Sequence, residues 1–189
     1  MAARIMVTEF VSLDGVMQAP GGEPDFKYLG WTFEFDRGDD GNQFKLEETK
    51  QSDGLLIGRR TYESFAGAWP NREDEFADKL NSMPKFVVSK MLKDPDWNNT
   101  MVLDTGDATT QVRQLKEEFD GELQVPGSHR LVQELIGSDL VDQVNLMVFP
   151  VILGTGRRRS RRRPRPYAPA QGVEGRRRRR LVLVYERAA

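Results

Sequence analysis

The stretch LLIGRRTYES, residues 55–64, carries the decision about the architecture of this chain. Leu55–Ile57 is an apolar run of strand character, Gly58 stops it, and Thr61 stands where a helix cap belongs. A strand that ends in glycine and opens a helix presents free backbone N–H groups and the positive end of a helix dipole, an arrangement that suits an anion. Arg59 and Arg60 add the charge that makes a phosphate the natural choice. The competing reading is a capped helix with two solvated arginines. LQVPGSHRLVQELI, residues 123–136, repeats the pattern, with Gly127 and Ser128 between strand and helix. One such junction is weak evidence, because many strand-to-helix turns take glycine for geometry alone; two in one domain favour a phosphate-bearing ligand. The glycine fingerprint of dinucleotide-binding Rossmann units and the P-loop signature are both absent.

Outward from these junctions, Ile5–Val11 reads as a buried strand ending at Asp14-Gly15. Residues 18–43 mix Gly, Pro and Asp with irregular aromatics and read as a long ordered loop in which Trp31, Phe33 and Phe35 alternate as if one face were covered. Further strands are expected at 54–57, 85–89, 100–103, 123–125, 141–152 (interrupted by Pro150) and 181–186, and helices at 44–51, from 61 to at least 66, at 109–119 and at 131–136. Short apolar strands alternating with helices predict an α/β domain, a sheet sandwiched between helices.

The chain has 189 residues, a length that fits one domain, and a formal net charge of −1. The average hides a division. Residues 1–156 carry 15 Lys and Arg against 27 Asp and Glu, net −12, whereas residues 157–189 carry 13 against 2, net +11. The absence of cysteine removes disulfides, thiolate metal sites and cysteine nucleophiles together. The start, MAARIMVTEFVSLDG, reads as a first strand rather than a signal peptide, and no apolar run is long enough to span a membrane, so a cytoplasmic protein is expected.

TEFVSLDGVM (8–17), LLIGRRTYESFAGAWP (55–70), KFVVSK (85–90), VPGSHRLVQELI (125–136) and DLVDQVNLMVFPVILGTG (139–156) resemble, in order, the motifs of the dihydrofolate-reductase-like family. Within it they are most similar to small bacterial proteins resembling the C-terminal reductase domain of the riboflavin-biosynthesis deaminase/reductase. The resemblance implies a central mixed, mostly parallel sheet flanked by helices, an NADPH cofactor, a small-molecule substrate, and a homodimer. It implies that Gly58, Arg59, Arg60 and Thr61 hold the pyrophosphate and 2′-phosphate of NADPH, with Ser89 and Lys90 as a second contact to the 2′-phosphate. Gly127 and Ser128 resemble the turn under the pyrophosphate, although the family often has a further glycine where this chain has His129. Asp14 falls where the first strand meets the nicotinamide and substrate pocket, as a catalytic candidate or a turn aspartate. His129 reads as a solvated residue at a helix start. Glu34 and Asp36 are candidates for a pocket carboxylate, but WTFEFD lacks the helical setting in which dihydrofolate reductases keep theirs.

The expected single domain, 1–189, is interrupted by RRRSRRRPRPYAPAQGVEGRRRRR, residues 157–180, with 12 arginines in 24 residues. The family pattern stops at Gly156 and returns at LVLVYE, and Arg, Pro, Ala and Gly are residues of GC-only codons, so a locally shifted reading frame is one reading. A nucleic-acid-binding arm is the other, with a single aromatic, Tyr167, for base stacking. On either reading the stretch is expected to be a disordered loop, since arginines are costly to bury. Three functions follow: an NADPH-dependent reductase acting on a small heterocyclic or carbonyl-type substrate, a nucleic-acid-binding protein using 157–180, or a nucleotide-binding protein without catalysis.

Overall fold

The computed structural model describes residues 2–24, 26–104, 106–157, 167–173 and 181–187. Along the chain run β1 (Arg4–Ser12), α1 (Gly38–Gln51), β2 (Gly54–Gly58), α2 (Arg59–Ala68), α3 (Glu75–Ser82), β3 (Lys85–Val88) and β4 (Thr100–Leu103). Then follow α4 (Ala108–Glu118), β5 (Glu122–Pro126), α5 (His129–Gly137), β6 (Gln143–Phe149), β7 (Tyr167–Val173) and β8 (Leu181–Arg187). The strands make one sheet in the order β4-β3-β2-β5-β1-β6-β8-β7. From β4 to β6 every pairing is parallel; β8 runs antiparallel to β6, and β7 antiparallel to β8. The mixed, mostly parallel sheet flanked by helices is the dihydrofolate-reductase-like architecture.

Alternation along the strands sorts side chains between two faces. Ile5, Val7 and Val11 of β1, with Leu123 and Val125 of β5, pack on Val112 and Leu115 of α4 and on Leu131, Val132 and Leu135 of α5. The opposite face carries Leu55, Ile57 and Val87 beneath Tyr62 of α2 and Leu80 of α3, and farther along the sheet it meets α1. Lys85 is enclosed on this side: its ammonium donates to the Asn81 carbonyl at 2.7 Å and lies 4.3 Å from the centre of the Trp97 ring. Burial lowers its pKa to about 8.

Four expectations change. The loop placed at 18–43 ends sooner, because α1 begins at Gly38; Asp36 accepts from the Gly38 N–H at 2.8 Å at this helix start, and Asp39 and Asp40 favour the positive end of its dipole. Helix α3, in a stretch assigned no element from the sequence, starts at an Asp74 N-cap whose side chain accepts from Ala77 N at 2.9 Å. The strand expected over 141–152 stops at Phe149, before Pro150. Within 157–180, Tyr167–Val173 is not a disordered loop but an edge strand on β8, with a register shift between Pro169 and Gln171. That stretch contains no arginine, so the cost of burying one does not arise, and proline is tolerated at an edge or bulge. Residues 158–166 and 174–180, where all but one of the arginines of the basic stretch stand, lie outside the described residues.

Candidate functional site

The two glycine junctions meet. Because β2 and β5 are parallel neighbours, their C-terminal ends deliver the starts of α2 and α5 to one crevice. The Gly58 N–H donates to the Ser128 hydroxyl at 2.7 Å, and the Thr61 and Ser128 hydroxyls share a hydrogen bond of 2.7 Å. A Cβ on residue 58 would stand 2.9 Å from Ser128 Oγ, so the close approach of the two turns requires glycine there. Gly127, at φ +90°, holds a left-handed conformation that a side chain would strain. Neither α2 nor α5 has a cap from the side chain of its own N-cap residue. The starts of the two helices thus lie side by side, and helix starts carry the amide donor chemistry a diphosphate takes.

The flanking charges are arranged unequally. Arg59 is half-buried and pairs with Glu63 at 2.5 Å, one helical turn on, whereas Arg60 is exposed. Val88 is the register partner of Gly58, so Ser89 and Lys90 begin one strand away from the crevice. The Ser89 hydroxyl accepts from Met91 N at 3.1 Å and Leu92 N at 3.0 Å, which shapes the turn; Lys90 is exposed. His129 is half-buried with its Nδ1 enclosed, rather than freely solvated.

Asp14 ties the turn after β1 to the segment after β6. Its carboxylate accepts from Ser12 Oγ at 2.6 Å, Leu153 N at 3.1 Å and Gly154 N at 3.0 Å. Beside it Leu13 N donates to Val151 O at 2.8 Å and Met17 N to Arg157 O at 2.9 Å, so residues 13–17 and 151–157 run as a paired latch. The Ser12 hydroxyl, and after it the Leu153 and Gly154 amides, outweigh the upward push of burial and hold the Asp14 pKa at about 2, against 3.8 ordinarily. A depressed carboxyl contributes stability above its ordinary value and loses it as pH falls through the folded value. Asp14→Asn is accordingly expected to speed amide exchange at Leu153 and Gly154 near neutral pH by roughly 5- to 10-fold, the difference between a charge-assisted bond and the neutral one an amide oxygen keeps. Along an acid titration from pH 4 to 2, wild type and variant should converge. Equal exchange at neutral pH would show that the latch does not depend on the carboxylate.

On the α1 face, the C-terminal ends of β1 and β6 carry an aromatic layer. Phe149, fully buried, is met edge-on by Phe10 at 5.4 Å, Trp31 at 5.4 Å and Phe35 at 5.9 Å between ring centres. Trp31–Glu34 is a 3-10 turn; Trp31 and Phe35 both pack on Phe149 while Phe33 is 76% exposed, so the single covered face expected for the three aromatics does not form. The cap is held by Trp31 Nε1 donating to Gln18 O at 2.9 Å and by the Thr32 hydroxyl donating to Pro20 O at 2.6 Å. Glu34 and Asp36, the sequence candidates for a pocket carboxylate, are exposed.

The buried carboxylates are others. Glu48 of α1, 5% exposed, receives the Thr8 hydroxyl at 2.6 Å, Asn145 Nδ2 at 3.0 Å and the Lys45 ammonium. Lys45 also donates to Thr8 Oγ1 at 2.6 Å and stands 4.9 Å from the centre of the Phe10 ring, so this ion pair underlies the aromatic layer. Glu9, 4% exposed, is on the opposite face with Val7 and Val11, one residue beyond the Thr8–Pro126 pairing. Neither glutamate nor Lys45 was singled out from the sequence, since inward charges leave no trace in an apolar pattern. Among the described residues no cluster of potential metal ligands occurs, and no helix is long and apolar enough to cross a membrane.

Comparison with known proteins meets this geometry. The sequence model of the family described as RibD C-terminal domain matches residues 3–166. A Bacillus subtilis (strain 168) relative, "Uncharacterized protein YyaP", is 25% identical over 159 residues, 82% of this chain and 78% of the relative. Among solved structures, a putative riboflavin biosynthesis protein from Shewanella sp. PV-4 superposes with a TM-score of 0.76 at 20% identity over the whole of both chains. Dihydrofolate reductase from Enterococcus faecalis, complexed with NADP(H) and RAB-propyl, gives 0.67 at 13% identity, again over the whole of both. RibD from Acinetobacter baumannii gives 0.66 at 12% identity over 98% of this chain and 58% of that one. At such identities the structural likenesses speak for the fold.

Proposed function

The chain belongs to the RibD C-terminal domain family, and from that premise we propose that it is an NADPH-dependent reductase that transfers hydride to a small heterocyclic or carbonyl-type substrate. The observation that carries this reading is the junction of two glycine turns, in which Gly58, Thr61 and Ser128 meet within hydrogen-bond distance at two helix starts. Those residues fit the cofactor: two helix starts without side-chain caps from their N-cap residues lie together, and Gly127 adds no side chain between them. When bound, NADPH supplies the hydride from its nicotinamide ring, and the protein supplies binding and orientation.

In this reading the amides at the starts of α2 and α5, with the Thr61 hydroxyl, hold the pyrophosphate, and Arg60 and Lys90, both exposed, meet the 2′-phosphate together with Arg59 and Ser89. The layer of Phe10, Trp31, Phe35 and Phe149 walls the substrate side and keeps water from the reacting atoms. Asp14, ionised down to pH about 2, has no proton to give near neutrality; its part is to hold the latch beside this wall.

A calorimetric titration with NADPH, with NADH as control and Arg60→Ala as a second sample, tests the reading. NADPH is expected to bind more tightly than NADH, and the variant to lose roughly 10-fold or more for NADPH alone, as removal of a charged hydrogen-bonding partner does. Equal affinity for both nucleotides would remove the 2′-phosphate assignment. Binding without oxidation of NADPH across a panel of quinone, flavin and pyrimidine acceptors would favour a nucleotide-binding protein that does not catalyse.

A further inference from the structure

We infer that the Ser128 hydroxyl competes with a ligand phosphate for the Gly58 amide, so that seating a diphosphate in the crevice displaces Ser128 from the start of α2. The inference rests on the cofactor site proposed above and concerns how that site is regulated from within. A backbone N–H has one proton to donate, and that of Gly58 is given to Ser128 Oγ at 2.7 Å. The same oxygen shares a 2.7 Å hydrogen bond with Thr61 Oγ1, so it occupies the start of α2 beside the Gly58 N–H. A phosphate oxygen forms the stronger bond, because a charged acceptor roughly doubles the strength of a neutral one.

Two further features mark the contact as a displaceable one. Ser128 holds φ 69° and ψ 68°, a left-handed conformation that strains a residue with a Cβ and persists where its surroundings impose it. Its two side-chain bonds to α2 are part of what imposes it, and releasing them lets the backbone relax. The glycine at 58 is explained by the same contact, since a Cβ there would press on Ser128 Oγ at 2.9 Å. The serine thus fits its partner closely and gives the helix start a neutral acceptor of its own. A weakly bound anion that reaches few donors does not repay its removal, whereas a diphosphate spanning both helix starts does.

The test measures the affinity of the full chain for NADP+ and for inorganic pyrophosphate in wild type, Ser128→Ala and Ser128→Gly. Both variants are expected to bind both probes more tightly, by roughly 3- to 10-fold, the worth of one neutral hydrogen bond. Ser128→Gly should gain the more, since it also relieves the left-handed backbone. The Gly58 amide should exchange faster in Ser128→Ala, and its resonance should move on addition of NADP+ to the wild type. Weaker or unchanged binding in the variants overturns the inference, because the hydroxyl then donates to the ligand or takes no part. Should the variants not fold, a wild-type Gly58 resonance that stays in place at saturating NADP+ overturns it equally. Wild-type protein that binds neither probe overturns the reductase reading, and this inference with it.

Discussion

Glu48→Ala is expected to cost the fold about 3–5 kcal/mol, the penalty for leaving one member of a buried ion pair without its partner. At the size of this domain that lowers the melting temperature on the order of 10 °C. The carboxylate is enclosed between α1 and the sheet and takes donors from three elements: Lys45 on its own helix, Thr8 on β1 and Asn145 on β6. Alanine would leave the Lys45 ammonium with the Thr8 hydroxyl and the Phe10 ring in place of its carboxylate partner, and would orphan one bond each from Thr8 and Asn145. Lys45→Met combined with Glu48→Leu removes both charges and is expected to recover at least half of the loss, as apolar replacement of buried pairs does elsewhere. Chemical denaturation of Lys45→Met, of Glu48→Leu and of the double variant completes the cycle. A loss below about 1 kcal/mol in Glu48→Ala would mean that the pair behaves as a solvated one.

That pair also shows where the sequence falls silent. The strands were legible because Leu55–Ile57 and the apolar run of β1 are stopped by Gly58 and by Asp14-Gly15, and the starts of α2 and α5 because Thr61 comes shortly after Gly58 and Ser128 directly after Gly127. Helix α1, GDDGNQFKLEETKQ, has the opposite character: its apolar residues are only Phe44 and Leu46, and its buried residues are Lys45, Glu48 and Thr49. Periodicity in apolar residues cannot point inward when the inward residues are charged, which is why the helix was expected to begin only at Phe44 and its buried pair was not foreseen. The missed α3 is different, since Asp74 three residues before Ala77, with Phe76 and Leu80 following, is a readable start.

The candidate site divides in the same way. That Gly58, Thr61, Gly127 and Ser128 matter could be read from two local junctions, but their contact depends on the register of β2 against β5. Ser128 lies 70 positions from Gly58 along the chain. Asp14 was legible as a turn residue after β1; its engagement with Leu153 and Gly154 requires β6 to lie beside β1, a pairing no local pattern states. The alternation of Trp31, Phe33 and Phe35, read as one covered face within an ordered loop, fails at Phe33, because Gly30, at φ 69°, opens a 3-10 turn that leaves this ring exposed.

Phe149→Ala should separate the two halves of the site. Removing a fully buried phenylalanine costs about 3–5 kcal/mol, and this one is the hub of three edge-on ring contacts, so the value belongs toward the upper end. The loss falls on the α1 face. Phe149 is the last residue of β6, paired with Ser12, whereas the two glycine turns are carried by β2 and β5 on the far side of β1. Below its lowered melting point the variant is therefore expected to bind NADP+ within about 3-fold of wild type, the scale of a change confined to distant contacts. Trp31, which packs against Phe149, should report the cavity as a shifted indole emission. Any reductase activity found for the wild type should fall by 10-fold or more, because a loosened wall misplaces the substrate relative to the hydride donor. Phe149→Leu, which keeps most of the volume, should recover the larger part of both stability and turnover. If NADP+ affinity in Phe149→Ala collapses together with turnover while the protein is still folded, the aromatic layer and the phosphate crevice are one cooperative unit, and Phe149 supports the cofactor rather than the substrate.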